Sequence, residues 1–256
     1  MSSQENSRRV AIVTGAGQGI GFEICRLLAE NGVSVVLNDI DAVLAEKSAA
    51  AIDARYGSCC GLAGDAADPA FIQKMIDTAT ARFGGLSIVI ANAGITLFGP
   101  FLEYTREAFD RVMNTNLGGS FFLAQAAAKT MIRQGRRGRI LFMSSVTGHQ
   151  AHKNLAAYSM TKAALEMLAK SLVIELSGYG ITVNAIAPGA TLTERTAEDG
   201  EYEKTWSSIT PMGRPATVSD IASAAVFLVS DRAGHITGQT LVIDGGWTAV
   251  SPSPYG

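Results

Sequence analysis

The sequence predicts an α/β protein, a doubly wound parallel sheet of about seven strands with helices on both faces. Three observations carry this. Short apolar runs alternate with longer stretches of helical spacing from residue 10 to residue 246, the order that stacks helices on both faces of a parallel sheet. The first run, 10–14, passes straight into the glycine-rich turn Gly15-Ala16-Gly17-Gln18-Gly19-Ile20-Gly21 and then into helical spacing. Finally, Tyr158 and Lys162 lie four apart on a predicted helix, thirteen residues beyond Ser145, which itself follows the apolar run 140–143.

Composition bounds what this sheet can be. With 256 residues, 47% apolar and 17% charged, the chain suits one compact domain with a substantial core. A net charge of −2 leaves no basic surplus for nucleic acid. The one basic cluster, Arg133, Arg136, Arg137 and Arg139, reads as a solvated turn. Cys25, Cys59 and Cys60 form neither a metal-ligand spacing nor an even disulfide set, so no metal and a reducing compartment are expected. The start of the chain lacks the apolar core of a signal peptide, and no apolar run reaches the ~18 residues of a membrane span. A cytoplasmic protein with no membrane partner is expected.

In the strand–turn–helix context of residues 10–28, glycines let the backbone approach a pyrophosphate, and the free N–H groups of the helix start complement its charge. The second strand, 33–37, ends at Asn38-Asp39, and Asp39 falls eighteen residues after Gly21, where an acid accepts hydrogen bonds from the adenosine ribose of NAD. A carboxylate there repels a 2′-phosphate, and the turn offers Gln18 but no lysine or arginine. NAD is therefore expected over NADP. The competing reading is that Asp39 only caps the next helix, 41–55.

A third strand is expected over 58–62, with Asp65 after it. Asp68-Pro69 then starts a helix that ends near residue 83. The fourth strand, 86–90, runs into Ala91-Asn92-Ala93-Gly94, which reads equally as the adenine side of a cofactor site or as a plain turn. One helix is expected over 105–129. It carries Asn114 and Asn116 among Phe, Leu and Ala, and a buried amide needs a partner. Asn116 is expected to hold a water or bend the helix, while the sequence gives no account of Asn114.

The run 140–143 reads as a strand delivering Ser145 to the carboxyl edge of the sheet, where such proteins place chemistry. The helix expected over 156–177 then sets Tyr158 and Lys162 on one face. A free phenol titrates near ~10, and an ammonium about 4 Å away favours the phenolate by ~4 kcal/mol at an effective dielectric of about 20. The spacing is chemically sufficient for acid/base work. A sixth strand, 181–187, ends in Pro188-Gly189. The polar stretch 190–210 suits a flap over a substrate. A helix over 220–229 and a last strand over 240–243, closing on Asp244-Gly245-Gly246, complete the pattern.

From about residue 10 to residue 246 the chain resembles the short-chain dehydrogenase/reductases. The resemblance rests on Thr14-Gly15-Ala-Gly-Gln-Gly-Ile-Gly21, Asn92-Ala93-Gly94, Asn116, Ser145, Tyr158 with Lys162, Pro188-Gly189, Gly238-Gln239 and Asp244-Gly245-Gly246. It implies a Rossmann-type catalytic domain over 10–250 that includes the flap, between a flexible stretch 1–9 and a tail 251–256. It also implies a tetrad: Tyr158 as general acid/base, Ser145 polarising the substrate oxygen, Lys162 tuning the phenol and binding the nicotinamide ribose, and Asn116 holding a relay water. The pyrophosphate is implied at Gly15, Gln18, Gly19, Ile20 and Gly21. Asp39, Asp65, Ala66 and the segment Asn92, Ala93, Gly94 are implied on the adenosine side, and Pro188, Gly189, Thr191 and Thr193 beside the carboxamide. Ala91 and Ser87 depart from the usual asparagine and aspartate. A homotetramer is implied, and the apolar segment 121–128 suits its interface.

The residues expected to line the substrate pocket are His149, His152, Asn154, Glu194 and Arg195, together with Thr191 and Thr193. This set is rich in donors and acceptors. It predicts hydride transfer to or from a small polar secondary alcohol or ketone, such as a sugar, polyol or hydroxy acid. A 3-oxoacyl thioester reductase is the alternative enzyme, and a non-catalytic dinucleotide-binding protein of regulation or assembly is the alternative of another kind.

Overall fold

The computed structural model describes residues 9–251. The expected flexible start before Arg9 and the tail after Ser251 lie outside the described residues. Seven strands, β1 (Val10–Val13), β2 (Ser34–Asp39), β3 (Cys59–Ala63), β4 (Ile88–Ala91), β5 (Gly138–Met143), β6 (Ile181–Pro188) and β7 (Thr240–Ile243), form one sheet. Their order is β3-β2-β1-β4-β5-β6-β7, and every neighbouring pair is parallel. The predicted fold class is therefore the observed one.

The inner strands are mainly apolar because both faces are covered, with buried polar residues such as Arg139 on β5 and Asn184 on β6 as exceptions. Val10 and Ile12 of β1, Val89 of β4, and Ile140 and Phe142 of β5 point into a core with α3 (Pro69–Phe83), α5 (Gly119–Arg133) and α6 (Ala156–Leu176). Their alternates Ala11, Val13, Ile88, Ile90 and Leu141 point into a second core with α1 (Gly19–Glu30), α2 (Ala42–Tyr56) and α8 (Val218–Leu228). Period-two alternation thus divides one apolar run between two cores.

Local chemistry sets the helix starts. Asp41 caps α2 by accepting from Val43 N and Leu44 N at 2.8 and 3.0 Å, and Asp68, followed by Pro69, caps α3 through Phe71 N at 2.7 Å. Helix α8 starts earlier than the spacing predicts because Thr217 and Asp220 form a capping box, with Arg214 paired to Asp220 at 2.7 Å.

The helix expected over 105–129 is three pieces: α4 (Arg106–Val112), a π-helical turn (Met113–Gly118) and α5. Asn116 sits in that turn with its side chain pulled to a neighbouring loop, and a Cβ on Gly119 would lie 3.0 Å from the Ala66 carbonyl oxygen. Close approach to the 66–67 segment and the side-chain clasp hold the wider turn. A second correction concerns the basic cluster. Arg139 is no solvated residue: it lies on β5, 6% exposed, donating to Gly138 O at 2.9 Å and paired with Asp231 at 3.4 Å. Arg136 reaches Gly84 O.

The expected flap is irregular only in part. It holds a 3₁₀ turn (Thr196–Glu198) and helix α7 (Tyr202–Ile209). The three cysteines are free and buried. No described helix is long and apolar enough to cross a membrane.

Candidate active site

Strand β1 lies between β2 and β4, so the chain leaves it in opposite directions on its two sides, and a crevice opens beyond the carboxyl ends. Thr14 and Asn92 join its walls. Thr14 Oγ1 accepts from Asn92 N and Ala93 N at 3.1 Å each, and Asn92 Nδ2 donates to Thr14 O at 2.9 Å and Gly15 O at 2.7 Å. A Cβ on Gly15 would stand 2.8 Å from Ala93 Cα, and one on Gly21 would stand 2.6 Å from Asn92 Nδ2. Glycine is required there by space.

A cleft of about 560 Å³ follows this crevice. Its walls include Gly15, Gln18, Gly19, Ile20 and Gly21 on one side and Asp39, Asp65 and Ala66 at one end, with Asn92, Ala93, Gly94 and Thr193 along the other. Gln18 makes no side-chain cap on α1, and the first turn of α1 carries no acidic residue, which leaves its N–H groups for an anion. Asp39 takes a different place from that of a helix cap: Oδ2 accepts from Gly17 N at 2.9 Å and Oδ1 from Asp41 N at 3.1 Å. The cap of α2 is Asp41. Free helix donors, a glycine turn and a fixed carboxylate at the cleft end fit a dinucleotide's pyrophosphate and ribose.

A second cleft of about 210 Å³ adjoins the first through Ile20, Asn92, Gly94, Thr193 and Arg195. Ser145, Tyr158 and Lys162 line it together with Pro188, Gly189 and Thr191. Lys162 is 4% exposed, its ammonium donating to Met143 O at 2.7 Å and lying 5.3 Å from the centroid of the Tyr158 ring. Ser145 starts a 3₁₀ turn, its hydroxyl accepting from Thr147 N at 3.3 Å.

Asn116 is fully buried and lines neither cleft. Its side chain clasps Ile95, accepting from the N–H at 2.8 Å and donating to the carbonyl at 2.9 Å. It also donates to Thr161 Oγ1, whose own proton goes to Tyr158 O at 2.7 Å. Asn114, which the sequence left without an account, lines the larger cleft.

The predicted pocket residues separate. Arg195 lines both clefts and Glu194 the larger one. His149, His152 and Asn154 line neither. His149 Nδ1 is 3.3 Å from Glu166 Oε1, His152 packs on Trp247 with ring centroids 5.1 Å apart, and Asn154 takes a left-handed conformation with φ of 63° while its carbonyl holds Gly99 N. The smaller cleft is walled instead by Thr96, Ser144, Thr196 and Tyr202, whose signal in the sequence was their polarity and, for Tyr202, its helical spacing with Trp206 and Ile209. Tyr202 accepts from Thr191 N at 3.2 Å. Burial raises its phenol pKa, partly offset by that bond.

A family profile described as Enoyl-(Acyl carrier protein) reductase matches residues 15–248 of this chain. L-rhamnose 1-dehydrogenase (NAD(P)(+)) of Azotobacter vinelandii is 38% identical to it, over 93% of this chain and 96% of that protein. D-threitol dehydrogenase of Mycolicibacterium smegmatis is also 38% identical, over 94% of this chain and 93% of the relative. Among solved structures, a short-chain type dehydrogenase/reductase from Mycobacterium marinum matches with a TM-score of 0.90 at 32% identity, covering 95% of this chain and 97% of that one.

Proposed function

The chain belongs to the short-chain dehydrogenase/reductase family, whose members are oxidoreductases that use nicotinamide cofactors, and on that premise we propose that it moves a hydride between NAD(H) and the carbinol or carbonyl carbon of a small polar secondary alcohol or ketone. A sugar or polyol is the favoured class, and a hydroxy acid belongs to the same chemistry. The observation that carries the reading is one cleft lined by Ser145, Tyr158 and Lys162 that opens directly onto the glycine-turn cleft. The names of the rhamnose and threitol dehydrogenases support the polar class.

The bound nicotinamide supplies the hydride acceptor or donor. Tyr158 takes the hydroxyl proton in oxidation and returns it in reduction. Ser145 holds the reacting oxygen by a hydrogen bond. Lys162, its ammonium fixed by the Met143 carbonyl, sets a positive charge beside the phenol and offers its remaining protons to the nicotinamide ribose. Asn116 acts from behind the site: by clasping Ile95 it keeps Gly94 against Lys162, where a Cβ on Gly94 would lie 3.5 Å from the Lys162 Nζ. Pro188, Gly189, Thr191 and Thr193, which line the smaller cleft, would hold the carboxamide, and the segment 190–210 would cover the substrate.

NAD is the cofactor in this reading because Asp39, which lines the larger cleft and accepts from Gly17 N of the glycine turn, would hydrogen-bond the adenosine ribose and repel a 2′-phosphate. A homo-oligomer is part of the same proposal: Phe121 and Phe122 stay 41% and 50% exposed beside an apolar groove lined by Met113, Leu117 and Met167. Three buried free thiols support a reducing, cytoplasmic setting.

The test is a screen of purified protein with NAD and with NADP over sugars, polyols, hydroxy acids and hydrophobic alcohols, read by the near-ultraviolet absorbance of the reduced nicotinamide. Turnover of one polar class with NAD is expected. The description of the family profile favours a second reading, an acyl thioester reductase. Activity on a 3-oxoacyl thioester with NADPH, and none on the polar panel, would put that reading first. A Tyr158→Phe protein that keeps every measured activity would instead favour a non-catalytic binding protein.

A further inference from the structure

Glu166 stands one helical turn beyond Lys162 on α6, on the same face. Its side chain is 16% exposed, and a carboxylate so covered is stable only with partners. It has two. Oε1 lies 2.7 Å from Ser144 Oγ and 3.3 Å from His149 Nδ1. Ser144 is itself buried, with Lys162 O 3.0 Å from the same hydroxyl. The hydroxyl has one proton, and the nearer, charged acceptor takes it.

The backbone between these partners is closely fitted. A Cβ on Gly148 would meet Glu166 Oε1 at 2.6 Å, the carbonyl carbon of Lys162 at 3.1 Å and Ser144 Oγ at 3.1 Å. Three consecutive residues at the end of β5 therefore act together. The Met143 carbonyl holds the Lys162 ammonium, the Ser144 hydroxyl is held by Glu166, and Ser145 faces the cleft. Ser144 N is in turn fixed to Ile186 O at 2.7 Å.

We propose that Glu166 is a positioning residue for the reaction: by holding Ser144 and the turn through Gly148 against α6, it fixes Ser145 relative to Tyr158 and Lys162. It touches neither substrate nor cofactor cleft, so its effect falls on the chemical step and leaves cofactor binding alone. A displacement of about 1 Å at a reacting group lowers a rate by as much as ~100-fold. The proposal rests on the dehydrogenase reading above, and its test separates the two.

The experiment compares Glu166→Ala, Glu166→Gln and Ser144→Ala with the parent protein, measuring kcat and KM on the substrate found in the screen, NADH affinity by fluorescence titration, and crystal structures. Glutamine keeps an acceptor for Ser144, so E166Q is expected within about threefold of the parent kcat. E166A and S144A are expected to lose roughly 10–100-fold in kcat, with NADH affinity unchanged within about twofold and Ser145 Oγ displaced by about 1 Å. Parent-like kcat in E166A, or E166Q falling as far as E166A, would overturn the proposal. Should E166A not fold, S144A decides: because Ser144 itself lines the smaller cleft, the position of Ser145 Oγ is read beside kcat, and a parent-like rate or an unmoved Ser145 there overturns the proposal. Should the parent protein turn over no substrate of the panel, the polar-substrate reading fails by itself. The crystal structures then decide the positioning claim, an unmoved Ser145 being the refuting result.

Discussion

The Lys162 ammonium is bonded to the carbonyl of Met143 at 2.7 Å and lies 5.3 Å from the centroid of the Tyr158 ring. One cation thus ties α6 to the end of β5 and faces the Tyr158 ring. Tyr158→Phe is expected to lower kcat by roughly 10²–10⁴-fold, the usual scale of general acid/base catalysis, while NADH titration stays near the parent value. Lys162→Met is expected to lose both turnover and NADH affinity, and to destabilise the fold by about 1–3 kcal/mol because the buried Met143 carbonyl loses its donor. Denaturant melts check the last point.

Asp39 accepts from Gly17 N as well as facing the cleft. Asp39→Ser removes the negative charge that a 2′-phosphate would meet. The ratio of NADP to NAD affinity is expected to rise roughly 10–100-fold, the size of a like-charge penalty of a few kcal/mol. Fluorescence titrations with both reduced cofactors measure it, and an unchanged ratio would mean that the carboxylate does not read the ribose.

The capping box of α8 makes stability depend on acid. The hydrogen bond from Arg214 and the Thr217 backbone N–H hold the Asp220 carboxyl well below its ordinary range. A group depressed on folding stabilises fully above its unfolded value, near ~3.9, and loses that contribution as pH falls toward the folded value. Asp220→Asn should therefore be less stable than the parent at pH 7, with the gap closing below about pH 4. The difference is modest because Arg214 and Asp220 keep 49% and 36% of their side chains exposed. Thr217→Ala is expected to cost about 1 kcal/mol in urea melts.

Phe121 and Phe122 meet edge to face with centroids 5.3 Å apart on the exposed side of α5. Light scattering of the parent protein should give a mass above the monomer, and Phe122→Glu should shift it downward without changing the helical circular dichroism. A monomeric parent protein would refute the interface.

Burial raises all three thiols, Cys25 well above its ordinary value and Cys59 to about 12. Ellman's reagent at pH 8 is expected to find none of them in the native protein and all three in denaturant, since the thiolate is the reacting form. Fast native labelling would mean that the edge strand β3 opens.

The sheet was legible because its inner strands are buried on both faces and so appear as mainly apolar runs, most of them followed by helical spacing, while the edge strands β3 and β7 are partly exposed. Tyr158, Lys162 and Ser145 were legible because helix periodicity and a strand end put them in reach of each other, and they meet in one cleft. The substrate side was not. His149 and His152 look free in the sequence, yet Glu166 and Trp247, far along the chain, hold them. Arg139 looked solvated because its neighbours are basic, while its partners, Ser230 and Asp231, come from a distant turn. Tertiary partners, absent from any local window, decide each of these positions. Tyr202 did carry a signal, the helical spacing of Tyr202, Trp206 and Ile209 inside a stretch read as a polar flap.

The π-helical turn at Met113–Gly118 also has the character of an insertion. Such a turn closes with one residue more than an α-helix needs, and each residue of an α-helix rotates the next by about 100°. The wider turn absorbs its extra residue, so deleting one residue there would restore an unbroken helix and leave α5 facing as it does now. What would be lost is the bulge that carries Asn116 to Ile95, while Phe121 and Phe122 would keep their place on the outer groove. One extra residue thus builds the inward clasp without disturbing the outward apolar face.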